Sequence, residues 1–112
     1  MALGVDVASV VAAQQSHGTN VAVVGERDRG RGALRWEDAV QDADGLITAS
    51  RDVYLLMTFA DCVPIVLYDP VGDVLGLVHA GWRGTIGGVA SRAVELMTHT
   101  FGSRADHMVA AI

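Results

Sequence analysis

Two apolar runs joined by a short polar turn constrain this chain more than any other feature. Ile65 to Tyr68 and Val74 to Val78 flank Asp69-Pro70-Val71-Gly72-Asp73, a cluster of turn-forming residues suited to closing an antiparallel hairpin. The run before them, Val53 to Phe59, is almost continuously apolar and suits a buried strand. Pro64 marks a break or a strand start between the two, because proline donates nothing to a ladder. Successive strands usually lie side by side, so the open end of this hairpin gathers two short segments. One is Phe59-Ala60-Asp61-Cys62, with the one cysteine of the chain, and the other is His79-Ala80-Gly81-Trp82-Arg83-Gly84.

The rest of the chain is read around that hairpin. Asn20 to Gly25, Leu46 to Thr48 and Met108 to Ile112 read as further strands, and a chain that stops within a predicted strand looks like a fragment. Ile86, Val89, Ala90, Ala93, Val94, Leu96 and Met97 recur every three or four residues, with Ser91, Arg92 and Glu95 opposite. That spacing predicts a helix capped at Thr85 and ending near Gly102. Val7, Val10 and Val11, with Asp6 as cap, predict a second, shorter helix ending near Gln15. His17 then sits in a helix-to-strand connector, Ser16 to Thr19. A weaker helical turn is expected around Trp36 and Val40. The segment Gly25 to Gly32 is glycine-rich and alternates in charge. It reads as a solvated loop, or as a cover over the site that presents arginines to a phosphate.

Length and charge narrow the functions. The 112 residues hold one domain, residues 1 to 112, and no apolar run is long enough to span a membrane. A formal charge of -5 disfavours nucleic acid. All eight basic residues are arginines, so neither a Schiff-base lysine nor a Walker loop is available. A single cysteine and an N-terminus without a secretory signal place the chain in the cytoplasm with a free thiol.

His17, Cys62 and His79 together offer two imidazoles and a thiolate, a donor set that suits zinc. Three protein ligands leave a fourth tetrahedral position for water, the arrangement of a catalytic zinc site. The same atoms also permit a metal-free reading, with Cys62 as nucleophile and His79 as its base. Asp61 is placed to orient that histidine or a water. A third reading is non-catalytic, with all three residues structural and a partner chain covering the open sheet edge. Gly81 to Thr85 opens a helix and forms a candidate anion site with Arg83, or simply a tight turn with Trp82 packed on the core. His99 and His107 read as surface residues.

Five segments, in order, resemble the laccase-domain family. They are Ser16-His17-Gly18, Asp28-Arg29-Gly30-Arg31-Gly32-Ala33, Asp42-Ala43-Asp44-Gly45-Leu46-Ile47-Thr48, Ala60-Asp61-Cys62-Val63-Pro64-Ile65 and His79-Ala80-Gly81-Trp82-Arg83-Gly84. That family was first labelled multicopper polyphenol oxidase and is now described as purine nucleoside phosphorylase or peptidoglycan editing factor. The resemblance implies an α+β fold with a mixed sheet, and zinc on His17, Cys62 and His79. It implies phosphorolysis of purine nucleosides such as adenosine, inosine and methylthioadenosine, and adenosine deamination, with Asp61 and Arg83 as catalytic candidates. Nucleoside and phosphate are the expected partners. Family members are longer than this chain at both ends, so the expected domain is incomplete. One cysteine and four histidines are too few for a type-1 copper centre and a trinuclear cluster.

Overall fold

Leu46 and Ile47 are adjacent, both fully buried, and belong to two different cores. Successive side chains of a strand point to opposite faces, so a strand apolar on both faces has to be covered on both sides. A computed structural model describes residues 4–112 and shows how. The strand that carries this pair, β3 (Gly45–Thr48), is buried along its whole length inside a five-stranded sheet.

The strands of that sheet are β2 (Val21–Val23), β3, β5 (Val63–Asp69), β6 (Val74–Ala80) and β7 (Val109–Ala111), in spatial order β2-β3-β6-β5-β7. β2 runs parallel to β3, and the other three pairings are antiparallel. One face carries α2 (Val89–Phe101), which buries Val89, Ala93 and Met97 against Ile47, Leu67 and Val78. On the other face, Leu46 packs with Val11, Val24, Val53 and Met57. Val11 lies on β1 (Val10–Ala12), which pairs in parallel with β4 (Tyr54–Leu56) as a separate two-stranded sheet. The fold is α+β with mixed sheets, as the sequence predicts. Burying an aliphatic side chain such as Leu46 or Ile47 contributes about 1.5–3 kcal/mol, so β3 is a principal anchor of the structure.

The predicted hairpin is present and longer than expected, with Val63 opposite Ala80 and Asp69 opposite Val74. The Asp69 carboxylate accepts from the Val71 and Gly72 amides at 3.0 and 3.1 Å, closing the turn. Pro64 lies inside β5 rather than before it. The second antiparallel partner of β5, β7, reaches only Val66 to Tyr68, so Pro64 stands where β5 has an open side.

Three expectations need correction. The helix predicted from Val7 to Gln15 is a single 3-10 turn, Val7–Ser9, followed by strand β1. The Asp6 cap is real, with the Ala8 amide donating to its carboxylate at 3.0 Å. Val10 and Val11 are β-branched, and backbone partners on both flanks decide for a strand: β4 on one, and Gly30, Arg31 and Val40 on the other. For the same reason Gly25 to Gly32 is no free loop. Its backbone is bonded to β1, Arg31 pairs with Asp28 at 3.0 Å, and Arg29 donates to the Ser9 hydroxyl. Thr85, finally, caps nothing. It lies within a short helix, α1 (Trp82–Gly87), which Gly88 separates from α2 by a left-handed residue at φ 80°. Gly102 ends α2 as predicted, and a 3-10 turn at Trp36–Asp38 takes the place of the predicted helical turn. No helix among the described residues is long and apolar enough to cross a membrane.

Candidate metal centre

The site forms where the β6 end of the hairpin meets the loop after β1. His79 is the penultimate residue of β6 and shares a face with Leu77, toward the β1 and β4 layer. It is 3% exposed and its ring is packed against Phe59, 5.4 Å between centroids, and edge-on to His17 at 5.1 Å. His17 lies in the predicted connector, with its backbone at φ 60°. A left-handed conformation costs a non-glycine residue free energy, and here it aims the imidazole at the hairpin end. Cys62, half-buried, stands one residue before β5. One donor atom from each of His17, Cys62 and His79 lies within 4.8 Å of the others.

Behind these three sits a residue to which the sequence alone assigned no role in the site. Asp44 is fully buried, and its carboxylate accepts from His79 Nδ1 at 2.8 Å. It also accepts from the backbone amides of Ser16, His17 and Gly18, each at 3.0 Å, and from the Ser16 hydroxyl at 3.2 Å. Burial by itself would raise its pKa. The hydrogen bonds from Gly18, His79 and Ser16 outweigh burial and hold the carboxyl below its ordinary range. With Nδ1 engaged by Asp44, the free nitrogen of His79 is Nε2. The signal for Asp44 lay in strand register: Gly45 pairs with Val78 across β3 and β6, so the next residues outward are Asp44 and His79. The carboxylate hydrogen-bonded to His79 is therefore Asp44 and not Asp61.

Gln15 was also missed. Its side-chain oxygen accepts from the Thr58 amide at 2.9 Å, and its side-chain nitrogen donates to the Thr58 carbonyl at 2.8 Å. This reciprocal clasp ties the segment of His17 to the loop that delivers Cys62. A cleft of about 560 Å³ opens over the cluster, lined among others by His17, Trp36, Phe59, Asp61 and Cys62. Asp61 is an exposed residue in its wall. Arg83 is outside that lining; its guanidinium lies 5.2 Å from the centre of the Trp82 ring. Trp82 is 72% exposed, so the core packing considered for it does not occur. His99 and His107 are exposed, as expected.

The three donors fit a tetrahedral metal ion. Donors on a tetrahedral ion with 2.0–2.3 Å bonds stand roughly 3.3–3.8 Å apart, so three atoms within 4.8 Å of one another reach that geometry by shifts of no more than about an ångström each. Gly81 leaves the room: a Cβ there would stand 3.2 Å from Cys62 Sγ and 3.5 Å from a carbon of the His17 ring. A thiolate with two imidazoles is a soft-to-borderline donor set, which suits zinc.

Similarity to known proteins runs through the whole chain. YlmD of Bacillus subtilis (strain 168), named a purine nucleoside phosphorylase, is 40% identical over 107 residues, which are 96% of this chain and 38% of that protein. A protein named adenosine deaminase RL5, from an unknown prokaryotic organism, is 39% identical over all 112 residues, 42% of its own length. The crystal structure of YlmD from Geobacillus stearothermophilus superposes with a TM-score of 0.93 at 38% identity, over 96% of this chain and 40% of that one. The Bacillus licheniformis protein YfiH gives a TM-score of 0.94, also at 38% identity, over 97% and 41%. The chain thus spans about two fifths of the length of these relatives. The family model described as multi-copper polyphenol oxidoreductase laccase matches residues 1–112, and the chain belongs to that family.

Proposed function

We propose that this chain carries the metal centre of a zinc-dependent purine nucleoside phosphorylase that also deaminates adenosine. The observation that carries the reading is the convergence of His17, Cys62 and His79 donors within 4.8 Å, over a cleft with aromatic walls. The names of the relatives, purine nucleoside phosphorylase and adenosine deaminase, supply the substrate class. A bound zinc ion would supply Lewis acidity, which lets water act as a nucleophile near neutral pH.

The residues of the chain divide the remaining work. Trp36 and Phe59 give the cleft flat apolar surfaces against which a purine can stack. Asp61, in the cleft wall, would accept or return a proton as water adds to the purine C6 and ammonia leaves. In phosphorolysis a phosphate oxygen bonds to ribose C1′ as the bond to the base breaks. Arg83, two residues beyond Gly81 and outside the cleft lining, would have to turn from Trp82 to supply the cation for that phosphate. Adenosine, inosine and methylthioadenosine share the purine and ribose that these groups would hold. The cytoplasmic placement rests on the free thiol, which reducing conditions preserve.

His17 separates this reading from the metal-free one. A cysteine nucleophile with His79 as base and Asp44 behind it needs no second histidine, and none held in a left-handed backbone. Metal analysis of the purified protein, followed by adenosine turnover with and without phosphate and chelator, tests the choice. We expect one zinc per chain and turnover lost on chelation and in Cys62→Ser. Turnover that survives chelator but not thiol alkylation would assign the site to a cysteine hydrolase, including one acting on peptidoglycan precursors. Zinc-free protein with no turnover would leave the three residues structural.

A further inference from the structure

Building on that reading, we propose that Asp44 is the positioning residue of the site, one carboxylate that sets both histidine ligands at once. The argument turns on how its two oxygens are used. Oδ1 accepts from the Ser16 and Gly18 amides and the Ser16 hydroxyl, fixing the backbone on both sides of His17. Oδ2 accepts from the His17 amide and from His79 Nδ1.

Two consequences follow from donor and acceptor chemistry. An ionised carboxylate only accepts, so neutral His79 has to carry its proton on Nδ1, leaving the Nε2 lone pair for the open side. Three consecutive amides converging on one carboxylate hold the turn 16–18 in the conformation that puts His17 at φ 60°. The two ligands come from segments more than sixty residues apart and are aligned to each other through one group. The main chain of Asp44 adds to this, because its amide donates to the Asn20 carbonyl and its carbonyl accepts from the His79 amide at 2.7 Å.

An asparagine cannot do the same. It offers one oxygen and one NH₂ group. With the oxygen toward the Ser16 and Gly18 amides, the NH₂ faces the His17 amide and His79 Nδ1, so that amide loses its acceptor and the His79 proton is forced to Nε2, closing the metal-binding lone pair. With the amide reversed, the NH₂ faces the Ser16 and Gly18 amides, and the turn that holds His17 loses its acceptor.

The test uses the full chain and two readouts. In metal-free wild-type protein, nitrogen NMR of the imidazoles should show neutral His79 protonated on Nδ1. A proton on Nε2 would overturn the proposal, and this readout needs neither a variant nor a metal. In zinc titrations competed against a chromophoric chelator, Asp44→Asn should bind about 10- to 100-fold more weakly than wild type, with the His79 proton moved to Nε2 or the His17 signals shifted. Equal zinc affinity in folded Asp44→Asn would also overturn it. If that variant does not fold, the wild-type tautomer decides alone. Failure of wild type itself to bind zinc would sink the proposed function and leave the tautomer result standing.

Discussion

The two walls of the cleft over the candidate metal centre are built differently. On one, His79 and His17 are fixed by a fully buried carboxylate that receives five hydrogen bonds, and the strand behind it is buried on both faces. On the other, Cys62 rides on a loop of mostly exposed residues, tied back by the Gln15 clasp on Thr58. The first wall is preorganised, with its ordering complete before any ion arrives. The second is held by fewer buried contacts. Such a division suits a site that needs exact ligand geometry and an open fourth position together.

The contrast can be broken from either wall. His79→Ala should have the largest effect, abolishing stoichiometric zinc binding. It also lowers thermal stability, because it removes the ring packed on Phe59 and leaves Asp44 without its imidazole partner. Metal analysis and a melting curve in chelator report the two parts separately. Gly81→Val comes next: its side chain would press on Cys62 Sγ and the His17 ring, and we expect zinc affinity to fall about tenfold or more with the fold intact.

Gln15→Ala sharpens the comparison, because it touches only the loose wall. Losing the clasp should cost about 1 kcal/mol, seen as a small drop in melting temperature. Zinc affinity should fall a few-fold, with the His79 tautomer unchanged. The smallest effect is one of pH. The Asp44 and Asp28 carboxyls both lie below their ordinary value of 3.8, so each favours the folded state while ionised. For Asp28, burial acts upward, and the Gly25 amide and Arg31 outweigh it. Their contribution is complete above the unfolded-state pKa and is lost as pH falls through the folded one. Their share of the stability of metal-free protein should therefore be level from pH 7 to about 5 and decline below pH 4. In Asp28→Asn the decline should be shallower.

Much of this was legible in the sequence, for identifiable reasons. The hairpin, the core face of α2 and the three donors rest on local signals, namely turn chemistry, helical spacing and residue type. The helix expected at Val7 to Gln15 failed because Val10 and Val11 satisfy either period over so short a stretch, and pairing with Tyr54 to Leu56 decided. The break at Gly88 was hidden because Ile86 continues the apolar spacing of α2, although it is largely exposed on α1. Asp44 and Gln15 were out of reach for another reason. Their partners lie 35 and 43 residues away, and only strand register brings them together.

The central claim is that His17, Cys62 and His79 bind one zinc ion in the chain as it stands. X-ray absorption at the zinc edge of the stoichiometrically loaded protein tests it directly. The account predicts one sulfur at about 2.3 Å and two imidazole nitrogens near 2.0 Å, with a light fourth ligand. A shell without sulfur, or zinc that fails to reach one equivalent, would contradict it.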